Sequence, residues 1–168
     1  MDSHPHIPVL LEAALEGLAL QPAGRYVDGT FGRGGHSRAI LSRLGPRGAL
    51  LAMDRDPAAF EAARRLSEDP RFTFARERFS RMAETVRQHW PEDGVDGVLL
   101  DLGVSSPQLD ESSRGFSFQK DGPLDMRMDP EAGSPVSEWL NRADEKVIAD
   151  TIFTLGEERY SRRIARAI

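Results

Sequence analysis

Short apolar runs alternate with segments of helical spacing along the first hundred residues of this chain. A continuous run such as Ala49-Leu50-Leu51-Ala52-Met53 is typical of a strand that is buried on both faces. The first predicted strand begins at Tyr26, and three more cover residues 49–53, 72–74 and 95–102. The predicted helices cover residues 9–18, 36–44, 57–66 and 80–90. After the first helix, the order βαβαβαβ with short connections predicts an α/β fold with a doubly wound, mostly parallel sheet.

The pattern changes after Ser105. Residues 105–135 are rich in glycine, proline, serine and aspartate and show no sustained periodicity. Helical spacing then returns at 136–141, at 144–155 and from Glu157 onward. We therefore expect two domains, residues 1–110 with the first four strands and residues 111–168 with mostly helices. The last helical pattern reaches Ile168 without a stop signal, which predicts that the chain is truncated there.

Composition limits the class of protein. Of the 168 residues, 29% are charged and 39% hydrophobic, as in a globular protein. We expect a cytoplasmic protein without membrane contact, because no apolar run approaches about 18 residues and no signal peptide opens the chain. Cysteine is absent and the four histidines lack metal-ligand spacing, so we expect no metal site. A net charge of −5 argues against unselective nucleic-acid binding, although a local basic face is compatible with it.

The most informative segment is residues 25–37, where an apolar strand leads through Asp28 into four glycines and a helix. Glycine lets the backbone turn sharply and bring its N–H groups close to a ligand. Such a loop at the end of a first strand indicates a nucleotide-type cofactor site. Its spacing fits the dinucleotide fingerprint only in part, because Ser37 stands where the third glycine is expected. A nicotinamide dinucleotide and S-adenosylmethionine therefore both fit. Asp28 is either the acid that stands just before the glycine loop in S-adenosylmethionine sites or a residue that orients the loop through backbone N–H bonds.

Three side chains are candidates for contact with that cofactor. Asp54 ends the second strand, where a carboxylate accepts hydrogen bonds from ribose hydroxyls; its alternative role as a helix N-cap suits Asp56 equally well. Phe79 follows the third strand and either covers an adenine ring or packs in the core. His36 follows the glycines and either touches the cofactor or caps the helix.

Other residues are candidates for contact with a substrate. Asp101 ends the fourth strand, where an acceptor can grip a target amino group, or it binds the cofactor instead. Phe116 and Phe118 lie in a polar glycine loop and either stack on an extruded base or anchor the loop. Four arginines at helical spacing predict a basic face on the last helix, for RNA phosphate or for solvent: Arg159, Arg162, Arg163 and Arg166.

Several long motifs occur along the chain, at residues 27–37 (VDGTFGRGGHS), 54–57 (DRDP), 101–108 (DLGVSSPQ), 114–118 (RGFSF), 121–128 (DGPLDMRM) and 156–159 (GEER). Together these motifs resemble those of the ribosomal RNA small subunit methyltransferase H family. The resemblance implies S-adenosylmethionine-dependent methylation of N4 of a cytidine in the 16S rRNA of the small ribosomal subunit. It also implies a Rossmann-like class I methyltransferase fold into which a helical domain is inserted.

The resemblance further implies a set of cofactor contacts, namely Gly34, Gly35, His36, Asp54, Phe79, Asp101 and Gln108. It favours Asp101 as a cofactor ligand and leaves the amine acceptor unassigned. Because family members continue beyond the equivalent of Ile168, it implies that this chain holds only the N-terminal part of the fold and the start of the insert. We expect an unfinished sheet edge that exposes apolar surface and allows self-association. The alternatives are a nicotinamide-dependent oxidoreductase and a non-catalytic RNA-binding module.

Overall fold

The computed structural model of this protein describes residues 8–92 and 94–168, which fall into two compact units, one up to Gly103 and one from Val104 to Ile168. The elements of the first unit are α1 (Leu11–Leu18), β1 (Arg25–Asp28), α2 (Gly35–Arg43), β2 (Ala49–Asp54), α3 (Pro57–Ala63), β3 (Phe72–Arg76), α4 (Met82–His89) and β4 (Gly97–Leu99). Short 3₁₀ turns at Arg64–Leu66 and Phe79–Arg81 extend α3 and precede α4. Within the described residues, no helix is long and apolar enough to cross a bilayer.

The four strands form one parallel sheet in the order β3-β2-β1-β4. The chain builds outward from β1 to β3 and then returns to the other side of β1. This reversal is the mark of a doubly wound sheet, so the predicted fold class is confirmed. Open α/β sheets bind their ligands in the crevice at such a reversal, which here lies between the carboxyl ends of β1 and β4.

Alternating strand residues feed two separate apolar cores. Tyr26, Leu50 and Phe72 pack with side chains of α1, α2 and α3. Val27 and Leu51 point the other way and pack with side chains of α4. Because successive strand side chains point to opposite faces, the two cores lie on the two faces of the sheet. This burial on both faces explains the continuous apolar runs in the sequence.

Strand β4 is shorter than predicted, covering residues 97–99 rather than 95–102. Its neighbour β1 ends at Asp28, so the ladder has no partner strand beyond Leu99. The next backbone donor, Asp101 N–H, bonds the Thr30 hydroxyl at 2.7 Å instead. The apolar run nevertheless continues, and it leaves Val98 43% and Leu100 42% exposed. The apolar surface expected at the β4 edge is therefore present.

The second unit contains α5 (Ser106–Asp110), α6 (Val136–Leu140), α7 (Glu145–Gly156) and α8 (Ser161–Ala167). Ile148 and Ala149 of α7 pack on Ala165 of α8 and form its apolar core. Helix α5 was not predicted from the sequence, although Ser105 and Gln108 form a capping box and Pro107 lies in its first turn.

The prediction that the last helix opens at Glu157 is wrong, because α8 begins at Ser161. Glu157 takes a left-handed conformation (φ 52°) that ends α7. The Glu158 carboxylate then accepts the Tyr160 N–H at 2.7 Å, which shapes a turn between the two helices. Arg159 therefore lies in this turn and not on the predicted helical face.

Candidate cofactor site

The glycine loop is held in a conformation that needs glycine at two positions. Gly32 and Gly34 have φ of 54° and 73°, which is the left-handed region that L side chains disfavour. Gly34 precedes α2 directly and acts as its N-cap residue. The loop backbone is also tied to both neighbouring strands, because Gly29 N–H donates to Leu99 O at 2.9 Å and Phe31 N–H donates to Met53 O at 3.0 Å. The loop is thus a fixed turn at the carboxyl edge of the sheet.

Asp54, at the end of β2, contacts the glycine loop directly. One carboxylate oxygen accepts the Gly32 N–H at 2.8 Å and the other accepts the Asp56 N–H at 2.9 Å. Burial raises the pKa of Asp54 above its usual value, against the lowering effect of these backbone donors. Asp56 is the N-cap of α3, since its side chain accepts the Ala58 N–H at 3.0 Å. The capping role therefore belongs to Asp56, and Asp54 is left to face the loop.

Asp28 has a different environment at the end of β1. It is 1% exposed, and its two oxygens accept the Ser37 hydroxyl at 2.7 Å and the Thr30 N–H at 3.1 Å. Burial raises the pKa of this carboxyl as well, outweighing the two hydrogen bonds. Asp28 thus joins the start of the loop to the first turn of α2. This contact fits the loop-orienting role, one of the two roles that the sequence left open for Asp28.

Asp101 lies just past β4, on the other side of the crevice. Its backbone is fixed by the Thr30 hydroxyl, while its side chain is 54% exposed. Its carboxylate lies 4.0 Å from Nδ1 of His36, whose ring is buried and whose Nε2 lies 3.3 Å from the Val9 carbonyl oxygen. The contacts of Thr30 and His36 therefore bring the tip of β4 to the glycine loop.

Phe79 is a surface side chain at the same edge. It is 46% exposed and belongs to neither apolar core of the first unit, so the core interpretation of this residue is wrong. Its Cβ lies 3.3 Å from the position that a Cβ on Gly29 would occupy. The Phe79 side chain is thus attached beside the glycine loop, where a flat ligand can lie against its ring.

The remaining candidates belong to the second unit. Gln108 is buried, and its side-chain oxygen accepts the Ser105 N–H at 2.9 Å. Phe116 is half-buried, whereas Phe118 is fully exposed. Arg159 and Arg163 both lie over the ring of Tyr160, with guanidinium carbons 4.5 and 5.9 Å from its centre.

Sequence reasoning missed two residues that the geometry singles out. Thr30 links the loop to Asp101, but a lone threonine in a glycine loop gives no signal of that role. For Tyr160 the sequence does hold a signal. Arg159 precedes it directly and Arg163 follows three residues later, a spacing that suggests a cation–π group. The predicted contacts of Gly34, Gly35, His36, Asp54, Phe79, Asp101 and Gln108 with a cofactor stay predictions.

Comparison with known proteins identifies the family. The model of the MraW methylase family matches residues 3–168. The chain belongs to the MraW methylase family. A curated relative, the ribosomal RNA small subunit methyltransferase H of Stenotrophomonas maltophilia (strain K279a), is 57% identical over 164 residues. Membership of a methylase family disfavours the nicotinamide dinucleotide that the loop spacing left open.

The alignment with this relative covers 97% of the present chain but 50% of the relative. The chain thus spans about half the length of the curated MraW-family protein that it matches. A solved structure from Clostridium thermocellum, described as an rRNA methylase, is also similar, with 16% identity and a TM-score of 0.46. The similarity covers 62% of this chain and 58% of that one.

Proposed function

We propose that this chain is part of an enzyme that transfers the methyl group of S-adenosylmethionine to N4 of a cytidine in 16S rRNA. The carboxyl ends of β1, β2 and β4 form the cofactor site. The observation that carries this assignment is the 2.8 Å hydrogen bond from Gly32 N–H to Asp54, which joins the glycine loop to the neighbouring strand tip. A small-subunit rRNA substrate also accounts for the expected cytoplasmic location and for the small ribosomal subunit as partner.

The residues of this edge fit the chemistry of an adenosyl sulfonium. A carboxylate has about four acceptor positions, and Asp54 shares them with backbone N–H groups that include those of Gly32 and Asp56. Its remaining acceptor capacity suits a ribose hydroxyl. The exposed ring of Phe79 suits the face of an adenine, and the N–H groups at the start of α2, near Gly34 and Gly35, suit the carboxylate of the methionine part.

The ribose role of Asp54 is tested by comparing two neighbouring acids. Loss of a charge-assisted hydrogen bond costs about 1.5–3 kcal/mol, so Asp54→Ala should weaken binding of S-adenosylhomocysteine by about 10- to 150-fold. Asp56→Ala is the matched control: it removes the α3 cap and lowers stability by about 1 kcal/mol, yet should leave affinity unchanged. Isothermal titration of the whole chain measures both. Equal losses of affinity in the two variants would contradict the assignment.

Asp101 is the candidate for contact with the reacting groups. An exocyclic cytosine amine is a poor nucleophile, because its lone pair is delocalised into the ring, and an acceptor near its N–H favours localisation. The exposed carboxylate of Asp101 suits either this amine or the cofactor. Asp101→Asn separates the two roles. If Asp101 is a cofactor ligand, the substitution raises the dissociation constant of the cofactor. If Asp101 is the amine acceptor, the substitution slows methyl transfer at saturating cofactor. Methyl incorporation into undermethylated small subunits measures the second quantity.

A non-catalytic RNA-binding role is the second candidate for these 168 residues, because they span half of the curated relative. The comparison is between this chain and a full-length relative in the same methyl-incorporation assay. Incorporation by the full-length protein alone, with RNA binding by both, favours the binding role for this chain.

A further inference from the structure

The turn between α7 and α8 presents an exposed aromatic ring with two arginines over it. Tyr160 is 51% exposed, and the guanidinium carbons of Arg159 and Arg163 lie 4.5 and 5.9 Å from its ring centre. Both distances are within the roughly 6 Å over which a cation is attracted to an aromatic ring. One ring therefore organises two positive charges at the surface of the second unit.

The backbone fixes this arrangement on both sides. The Tyr160 N–H donates to the Glu158 carboxylate at 2.7 Å, and the Tyr160 carbonyl accepts the Arg163 N–H at 2.9 Å. Arg163 stands three residues after Tyr160, so the first turn of α8 directs it back to the ring. The backbone of Tyr160 is therefore held by hydrogen bonds on both sides, and both guanidinium groups lie against its ring.

These arginines differ from the others in their charge partners. Several other arginines are paired with carboxylates, as in Arg71 with Asp69 and Arg127 with Asp125 at 2.6 and 2.7 Å. Across the described ranges, by contrast, Arg159 and Arg163 have no ion pair with an acid. Glu158, the nearest acid in sequence, is already bonded to a backbone N–H. In a chain with a net charge of −5, this is a local excess of positive charge.

We infer that Tyr160, Arg159 and Arg163 form a binding site for a phosphodiester of single-stranded RNA. Stacking on an aromatic ring occupies the face of a guanidinium and leaves the N–H groups on its edge free, and these match phosphate oxygens in a bidentate manner. The site rests on the proposed function only for the choice of RNA as the anion. None of its three residues is among the predicted cofactor contacts, and it has its own test.

The test is the salt dependence of RNA binding by the whole chain, followed by the anisotropy of a fluorescein-labelled single-stranded RNA of about 12 nucleotides. Each phosphate contact contributes about −0.7 to the slope of log affinity against log salt for single strands. Arg159→Gln and Arg163→Gln should each reduce that slope by about 0.7. Tyr160→Leu should weaken binding about 2- to 5-fold, because it removes the ring that orders both guanidiniums, and Tyr160→Phe should restore it.

Arg162→Gln is the matched control, since it removes one charge from the same helix, and neither ring contact involves Arg162. If Arg162→Gln changes the slope as much as Arg163→Gln, diffuse charge explains binding and the site is refuted. Unchanged binding by Tyr160→Leu refutes it as well. Titration of the parent chain and the same variants with S-adenosylhomocysteine keeps the two proposals separate. If the parent chain does not bind S-adenosylhomocysteine, the proposed function is overturned, and the RNA-binding result still decides this site.

Discussion

Two glycines of the glycine loop provide a controlled comparison of backbone strain and steric crowding. Gly32 and Gly34 both have positive φ, so alanine at either position must adopt a left-handed conformation. Their surroundings differ. A Cβ on Gly32 would meet only Thr30 O at 3.9 Å, whereas a Cβ on Gly34 would lie 2.6 Å from Cζ of Phe31. We therefore expect Gly34→Ala to be the more destabilising substitution.

The expected magnitudes follow from these contacts. A left-handed alanine costs about 1–2 kcal/mol, and the lower entropy of the unfolded chain offsets about 0.4–1 kcal/mol of it. Gly32→Ala should therefore lower the free energy of unfolding by about 1 kcal/mol. Gly34→Ala adds the cost of overpacking, about 1–3 kcal/mol, because Phe31 cannot withdraw. Its ring is buried and packs on Phe72 and Phe74, with centroids 5.8 and 5.3 Å away.

Urea unfolding measures this difference in the first unit if the fluorescence comes from Trp90 alone. Trp90 packs against the α4 side of the sheet, and Trp139 lies in α6 of the second unit, so Trp139→Phe is the suitable background. The free energy of unfolding is compared at equal slope against urea concentration. Equal destabilisation by the two alanines would refute the argument, because it would mean that contact with Phe31 carries no cost.

Three further predictions concern other parts of the molecule. Asp28→Asn should gain stability relative to the parent as pH rises above 3.8, the ordinary pKa of this carboxyl, by about 1.4 kcal/mol per pH unit until the folded parent ionises. The sign follows because the raised pKa of Asp28 in the folded state makes its ionisation oppose folding. Parallel urea titrations across pH measure the difference in free energy of unfolding between variant and parent. A difference that does not change with pH would contradict the prediction. Phe118→Ala should weaken RNA binding about 5- to 150-fold, the loss of one stacked base, without lowering the melting temperature, whereas Phe116→Ala should lower the melting temperature. Gly156→Ala should raise stability by up to about 1 kcal/mol, because a Cβ there meets nothing within 4 Å and the residue is helical; destabilisation would show that it needs glycine.

The fold of the first unit was predictable in large part because its central strands, β1 and β2, are buried on both faces. The runs at β2 and β3 are bounded by turn residues, and the observed strands Ala49–Asp54 and Phe72–Arg76 include every residue predicted for them. The glycine loop was predictable for a similar reason, since positive φ at two nearby positions demands residues without a Cβ. Local chemistry dictated both features.

The errors occur where tertiary partners decide. The end of β4 depends on where β1 stops, which the apolar run from Val95 to Leu102 does not record. The start of α8 depends on the left-handed Glu157, a conformation that a sequence with Gly156 beside it would assign to the glycine instead. Neither position has a residue type that marks it, so periodicity carried the predicted elements past their true ends.

Three carboxylates at the ends of three neighbouring strands show what the sequence left undecided about the site. Asp28, Asp54 and Asp101 have the same chemistry and lie at or just past the ends of their strands, but they differ in exposure. Asp28 is 1% exposed with both oxygens bonded inside the protein, Asp54 is partly buried and shares its oxygens with the loop, and Asp101 is 54% exposed. A buried carboxylate that is already satisfied has little to offer a ligand, whereas an accessible one can exchange water for a hydroxyl or an amine. The cofactor and the target amine of the proposed function are therefore to be sought at Asp54 and Asp101, on either side of a loop that Asp28 holds in place.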